Sequence, residues 1–131
     1  MFNRWIEDRL LDVLENEGIG SIAFSPLAQG LLTNKYLNGI PQDSRVANKK
    51  ALFFNETNIT EEKLNKIKLL NEIAENRCQT LAQMALSWVL QNVTSVIIGA
   101  SRLSQITENV KAIEKLDFTK EELEKIDRIL K

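Results

Sequence analysis

Only two segments of the chain have the short apolar pattern of a β-strand, and each ends in a turn of small residues. The segment IGSIAF at 19–24 stops at a Ser-Pro pair, and the segment SVII at 95–98 runs into Gly-Ala-Ser-Arg. The predicted order is helix, strand, long loop, helix, helix, strand, helix and helix. Strands that alternate with helices favour parallel βα units. Two strands cannot form a sheet that is covered on both faces, so the pattern predicts part of a larger α/β unit.

The helices are predicted from apolar periodicity and from capping residues. The first covers 3–17, with Asn3 as its cap and one apolar face. The helix after Thr80 is apolar on most sides, which is typical of a helix that is buried on more than one face. The other three helices begin after Thr60, Ser104 and Thr119.

Size and charge exclude several classes of protein. The chain has 131 residues, a net charge of -1 and a pI of about 5.6. It is the size of one ordinary domain, and no basic surface indicates a nucleic-acid partner. Its apolar runs are far shorter than the roughly 18 residues that span a bilayer, and no signal-peptide pattern opens the chain. We therefore expect a cytoplasmic protein with no membrane partner.

The residue types that are missing exclude several kinds of chemistry. The chain has no histidine, which removes the usual general base and the commonest metal ligand. Cys78 is the single cysteine, so no internal disulfide can form and no metal site is predicted. Ser-His-Asp and Cys-His catalytic sets cannot be assembled from these residues.

Three stretches resemble a known family in their order and spacing. FSPLAQGLLTNKY at 24–36, MALSWVLQNVTSVIIGASR at 84–102 and LSQITENVKAI at 103–113 resemble the C-terminal part of the aldo-keto reductases. The branch that the chain most resembles is bacterial and acts on glyceraldehyde 3-phosphate and related aldehydes. That branch is itself similar to the beta subunits of voltage-gated potassium channels. The resemblance extends over the whole chain.

The family fold is a (β/α)8 barrel, and the resemblance implies that this chain supplies its C-terminal part. The segment at 19–24 would be strand seven, the segment at 95–98 strand eight, and the last helix a C-terminal addition to the outer ring. Residues 1–131 would be a single partial domain, mostly helical. The loops after strands seven and eight of such barrels commonly build a phosphate site. The resemblance implies that the phosphate belongs to NADPH.

The turn after the first strand would hold the cofactor pyrophosphate. The resemblance gives Ser25, Pro26 and Leu27 a hydroxyl and backbone N–H groups for this task. Gly30 would permit a tight bend over the cofactor. The long loop adds two cations, Lys35 and Arg45, and the ordering of residues 31–59 would depend on the cofactor. From the residues alone, a strand end, a turn glycine and solvated cations are the alternatives.

The segment after the second strand would hold the adenosine. Gly99 would let the backbone approach the ligand. Ser101 and Arg102 would bind the 2′-phosphate, where a guanidinium favours NADPH over NADH. A polar stripe with i, i+3 and i+4 spacing would contact the adenine and its ribose, the alternative being a solvent-facing stripe. It consists of Gln105, Glu108 and Asn109.

The catalytic residues of the family have no counterpart in this chain. The family transfers a hydride to a carbonyl with a tyrosine as general acid, beside an aspartate, a lysine and usually a histidine. Tyr36 instead matches a tyrosine of the cofactor loop, so no catalytic residue is predicted. Two hypotheses remain open. The chain is the adenosine-binding part of a reductase that acts on an aldehyde or ketone, or it is a free-standing, non-catalytic module that self-associates through its exposed barrel-facing surface.

Overall fold

The computed structural model describes residues 1–37 and 59–131. These residues form five α-helices and two strands, in the predicted order, with four short turns of 3-10 helix. The α-helices and strands are α1 (Leu10–Asn16), β1 (Ile22–Phe24), α2 (Glu61–Asn76), α3 (Leu81–Leu90), β2 (Ser95–Ile97), α4 (Leu103–Val110) and α5 (Lys120–Leu130). The 3-10 turns are Trp5–Glu7, Ala28–Gly30, Asn34–Tyr36 and Lys111–Glu114.

The two strands pair in parallel, as the βα pattern predicts. Ile22 lies opposite Ser95, and Phe24 lies opposite Ile97. Parallel strands need a crossover connection, and α2 and α3 belong to the segment that joins β1 to β2. The middle residue of each strand is half-buried, while the residues on either side of it are exposed. One face of this small sheet is therefore covered and the other is open.

The hydrophobic core lies between α2, α3 and α5. Its fully buried members include Ile67, Leu70, Leu81, Met84 and Ile126, each with no exposed surface. Helix α3 is buried continuously from its first residue to Trp88, which confirms that it packs on more than one face. The segment after β1 joins the same core through buried leucines and a tyrosine, namely Leu31, Leu32 and Tyr36.

Both predicted capping boxes are present with both of their hydrogen bonds. The Thr80 hydroxyl accepts from the Gln83 N–H at 3.2 Å, and Gln83 Oε1 accepts from the Thr80 N–H at 2.9 Å. Thr119 and Glu122 make the equivalent pair at the start of α5. Both helices therefore begin where the sequence predicts, because these bonds involve residues only three positions apart.

The predicted helix over 3–17 is broken. A 3-10 turn at Trp5–Glu7 is followed by Arg9 with φ at 71°, and α1 begins only at Leu10. A left-handed φ at a non-glycine residue interrupts a right-handed helix. The apolar side chains of this segment find little to pack against, since Trp5 is 66% exposed and Val13 is 54% exposed. Without that packing, the periodicity does not impose one continuous helix.

The predicted cap at Ser104 is also wrong. Arg102 occupies the N-cap position with extended backbone, and Ser104 lies inside the first turn of α4. The Gln105 side chain instead accepts hydrogen bonds from the N–H groups of Ser101 and Arg102. A long amide that reaches back to the start of the helix replaces the short hydroxyl that the sequence suggested.

Candidate functional site

A cavity of about 520 Å³ opens at the carboxyl ends of the two strands. Its walls come from the turns that follow β1 and β2, from the start of α3 and from one face of α4. Ten of the twelve residues predicted to bind a cofactor line it together. They are Ser25, Pro26, Leu27, Gly30, Lys35, Gly99, Ser101, Gln105, Glu108 and Asn109.

The turn after β1 forms one wall with an unusual backbone. Ser25, Ala28 and Gln29 have φ angles of 52°, 47° and 58°, in the left-handed region that non-glycine residues rarely adopt. Gly30 follows with φ at 101°. Such conformations persist only where the surrounding structure holds them, and they are frequent in ligand sites. Pro26 is buried, which attaches this turn to the body of the molecule.

Lys35 reaches the cavity from a short ordered turn. The Thr33 hydroxyl donates to the Gly30 carbonyl oxygen at 2.7 Å and accepts from the Lys35 N–H at 3.2 Å. Tyr36, beside Lys35, is only 1% exposed. The lysine side chain is therefore an exposed cation on a backbone anchored on both sides, and this cation lines the cavity.

The turn after β2 forms the opposite wall. A side chain built at Gly99 would meet no other atom within 4 Å, so no protein neighbour requires glycine there. Gln105 Oε1 accepts from the Ser101 N–H at 2.8 Å, and from the Ser101 hydroxyl and the Arg102 N–H at 3.3 Å. A single oxygen thus collects three donors at the N-terminus of α4. That donor set suits an oxygen of a phosphate equally well.

The C-terminal end of α4 presents the amide of a largely buried residue, Asn109, to the cavity. Asn109 is 7% exposed and lines the cavity, yet its side chain has no hydrogen bond within residues 1–37 and 59–131. Its neighbour Glu108 is held through its carbonyl oxygen, which accepts from Gln83 Nε2 at 3.0 Å. The described residues contain no fully buried side-chain N or O atom without a partner, so the Asn109 amide is open to solvent at the cavity, where it can pair with a polar ligand.

Of the other two predicted residues, one stands apart from this cavity and one lies outside the described residues. Arg102 follows Ser101 directly but is exposed and does not line the cavity. Arg45 lies outside the described residues, as does most of the 31–59 segment expected to depend on the cofactor. The cavity also has polar lining residues that the sequence analysis did not include, namely Gln29, Thr33, Asn34 and Thr80. The capping box at Thr80 was the available signal, because it places a helix N-terminus there.

The described part of the chain contains no group of three or more histidine, cysteine, aspartate or glutamate side chains that could hold a metal ion. None of its helices is both long enough and apolar enough to cross a membrane.

Sequence comparison identifies the family to which this arrangement belongs. The profile described as "Aldo/keto reductase family" matches residues 1–131, the full length of the chain. The chain belongs to the aldo/keto reductase family. Its fold is accordingly a C-terminal part of the family's (β/α)8 barrel, with β1 and β2 as two of the barrel strands.

Individual members of the family show how much of the barrel is present. L-glyceraldehyde 3-phosphate reductase of Escherichia coli K12 is 54% identical over 133 residues, covering 98% of this chain and 38% of the reductase. A putative voltage-gated potassium channel subunit beta of Schizosaccharomyces pombe is 41% identical over 129 residues, covering 95% of this chain and 38% of that protein. The chain therefore spans about two fifths of the length of these relatives.

A solved structure has the same fold. The glycerol dehydrogenase of Gluconobacter oxydans superposes with a TM-score of 0.77 at 28% identity. The superposition covers 98% of this chain and 39% of the dehydrogenase. The two strands and their helices thus keep an arrangement that occurs within a much longer family member.

Proposed function

We propose that this chain is the NADPH-adenosine-binding part of an aldo/keto reductase that, when intact, reduces an aldehyde or ketone to an alcohol. The observation that carries the proposal is the cavity at the carboxyl ends of β1 and β2, which gathers ten of the twelve predicted residues. In parallel α/β structures, ligands bind at this end of the strands. The family and the name of the Escherichia coli relative support a carbonyl substrate.

The residues of the cavity fit the two ends of an adenosine diphosphate group. Ser25, with the turn through Leu27, and Lys35 would hold the pyrophosphate, with Arg45 as the second cation. Gln105 Oε1 marks where a phosphate oxygen can accept from the N–H groups of Ser101 and Arg102. We assign the 2′-phosphate to this position.

The unpartnered amide of Asn109 fits the adenine and ribose, together with Glu108 on the same face of α4. A purine offers both donors and acceptors at its edge, and either kind can pair with an amide. Gly99 would allow the backbone to approach the ligand, since no protein atom fills the space beside it.

We assign no catalytic residue and no metal to this chain. NADPH, when bound, supplies the hydride that reduces the carbonyl carbon. The residues of this chain would bind and orient its adenosine end, while the proton for the alcohol would come from an acid elsewhere in the intact barrel. On this proposal, residues 1–131 are one partial domain of a cytoplasmic enzyme.

The test is selectivity between two small nucleotides, measured by ligand-observed NMR or titration calorimetry. Affinity for 2′,5′-ADP should exceed affinity for 5′-AMP by about tenfold, because a charged hydrogen bond contributes about 1.5–3 kcal/mol. Arg102→Ala should remove this preference. Arg128→Ala, which deletes an exposed arginine of α5 that does not line the cavity, is the matched control and should leave the preference unchanged. Equal binding of both nucleotides by the unaltered chain would refute the proposal.

A second candidate function rests on the open faces of the fold. Phe24 is 80% exposed and Ile97 is 60% exposed, although both belong to strands. Exposed apolar faces of this kind favour association. In this alternative the chain is a free-standing, non-catalytic module that self-associates through its barrel-facing surface. Sedimentation of the purified chain distinguishes the two, since a stable oligomer that binds no nucleotide would favour the module.

A further inference from the structure

A row of polar side chains connects α3 to α4 and to the 3-10 turn that follows α4. Residues four positions apart lie on the same side of a helix, and the row has this spacing. It begins just before α3, ends just after it, and consists of Gln79, Gln83, Ser87 and Gln91. Each of the four donates a hydrogen bond to a backbone carbonyl oxygen of the segment 108–116.

The two central members of the row are buried in an otherwise hydrophobic helix. Ser87 has no exposed surface and Gln83 is 9% exposed, while every other residue of α3 is hydrophobic. A buried polar side chain costs free energy unless its hydrogen bonds are made, and here they are made. A fully bonded polar network specifies one arrangement of the elements that it joins. The row therefore fixes how α4 lies against α3.

Gln83 joins two walls of the candidate site without lining it. Its Oε1 accepts from the Thr80 N–H at 2.9 Å, and its Nε2 donates to the Glu108 carbonyl oxygen at 3.0 Å. Thr80, Glu108 and Asn109 all line the cavity, whereas Gln83 does not. A single amide group thus links the start of α3 to the part of α4 that presents the Asn109 amide.

We infer that Gln83 is a positioning residue of the proposed nucleotide site. It holds Glu108 and Asn109 at a fixed distance from the start of α3, and so sets where the Asn109 amide meets a ligand. Binding groups keep a productive geometry when their supporting side chains are themselves locked by packing. Gln83 meets this condition, because Leu81 and Met84 beside it have no exposed surface. The inference rests on the proposed function and goes beyond it, since Gln83 contacts no ligand.

Gln83→Glu separates the link to α4 from the cap of α3. The carboxylate can still accept from the Thr80 N–H, so the capping box remains, but it has no donor for the Glu108 carbonyl oxygen. In proton–nitrogen correlation spectra recorded without nucleotide, the side-chain amide of Asn109 should therefore shift. This measurement does not depend on nucleotide binding.

Gln91→Glu is the matched control. It makes the same substitution in the same row and breaks the bond from Gln91 Nε2 to the Leu116 carbonyl oxygen, which measures 2.8 Å. Neither of these residues lines the cavity. The Asn109 resonance should therefore stay in place in Gln91→Glu.

Affinity for 2′,5′-ADP should fall by about fivefold in Gln83→Glu, because a displaced Asn109 amide loses one hydrogen bond to the ligand. The same affinity should be unchanged in Gln91→Glu. Titrations are made at a temperature at which circular dichroism shows the variants folded. Gln83→Met removes both bonds without adding a charge and should cause the same shift and loss, so the test does not require a buried carboxylate to be tolerated.

A double-mutant cycle distinguishes positioning from a general effect on structure. In the Asn109→Leu background, Gln83→Glu should reduce affinity no further, because the group that it positions is already absent. Losses that add fully would overturn the inference. It would also be overturned by an unmoved Asn109 resonance in both Gln83 variants, or by Gln83 variants that bind as tightly as Gln91→Glu. If the unaltered chain binds no nucleotide, the proposed function fails, and the ligand-free Asn109 resonance decides this inference.

Discussion

The guanidinium carbon of Arg77 lies 3.7 Å from the centroid of the Phe118 ring, and Arg77 is only 1% exposed. Arg77 Nη1 donates to Glu122 Oε2 at 2.5 Å, and Nη2 donates to the Asp117 carbonyl oxygen at 3.0 Å. Arg77 Nε also donates to Gln79 Oε1 at 2.9 Å. A buried cation is stable when its donors are paired in this way. One side chain therefore ties the end of α2 to the segment that begins α5.

Arg77→Met should lower the free energy of unfolding by about 3 kcal/mol, because it leaves the several acceptors around a buried guanidinium without their donors. Methionine keeps an unbranched apolar stem but is shorter than arginine, and it loses the donors and the charge. Urea denaturation measures the change, and Arg128→Met at an exposed position is the control. Equal denaturation midpoints for Arg77→Met and the unaltered chain would show that the pair does not stabilise α5.

Asn109→Leu should weaken nucleotide binding without lowering the stability of the fold. The Asn109 amide has no hydrogen bond within the described residues, so its loss should not lower the free energy of unfolding. Affinity for 2′,5′-ADP should fall by about fivefold, the equivalent of one hydrogen bond of about 1 kcal/mol. Asn71→Leu removes an exposed amide bonded to Glu75 and should leave affinity unchanged. Loss of stability without loss of affinity would mean that Asn109 is structural.

Gln105→Glu should weaken the binding of a phosphate at the start of α4. The carboxylate can still accept from the Ser101 N–H, but it places a negative charge where we assign the 2′-phosphate. Titration should show a larger loss for 2′,5′-ADP than for 5′-AMP. Thr107→Glu adds the same charge to an exposed position of the same helix that does not line the cavity. If both variants reduce affinity equally, the effect is a general electrostatic repulsion between the added carboxylate and the nucleotide, and the 2′-phosphate is not placed at Gln105.

Two glycines of the cavity should respond differently to alanine. Gly30 has φ at 101°, so Gly30→Ala should lower the free energy of unfolding by about 1 kcal/mol through backbone strain. Its new Cβ would lie 3.7 Å from Tyr36 Cε2, an ordinary contact, so crowding adds little. A Cβ built at Gly99 would meet no atom within 4 Å, so Gly99→Ala should leave the free energy of unfolding unchanged. The new methyl group should instead reduce nucleotide affinity, because it would occupy the space through which the backbone approaches the ligand. Unchanged affinity in Gly99→Ala would remove Gly99 from the proposed site.

The purified chain should not reduce glyceraldehyde, methylglyoxal or nitrobenzaldehyde with NADPH above the background rate. We propose no general acid within it, and Tyr36 is buried with 1% of its surface exposed. The loss of NADPH absorbance measures the rate. Turnover that co-purifies with the chain and disappears in Tyr36→Phe would contradict this prediction and would place the acid at Tyr36.

Local patterns were sufficient to predict the elements whose stabilising contacts are local or whose faces are buried. The capping boxes at Thr80 and Thr119 locate two helix starts, because their hydrogen bonds span three residues. The strands were recognisable because short apolar runs ended by Ser-Pro or Gly-Ala leave few alternatives. The continuous burial of α3 followed from apolar residues on most of its sides. The order of elements and the parallel pairing of the strands therefore came from the residues themselves.

The remaining features depend on contacts between residues that are distant in the chain. The helix predicted over 3–17 breaks at Arg9 because its apolar face lacks a packing surface, a condition that periodicity does not contain. The cap of α4 comes from Gln105 instead of Ser104, because the tertiary path of the turn after β2 brings Ser101 within reach. Only the paired strands bring the turn after β1 beside α4 and leave the Asn109 amide facing a cavity. Pairing across 73 positions, from Ile22 to Ser95, creates that proximity, and although the order of elements predicts that the strands pair, no local pattern encodes the register or the distances between their turns.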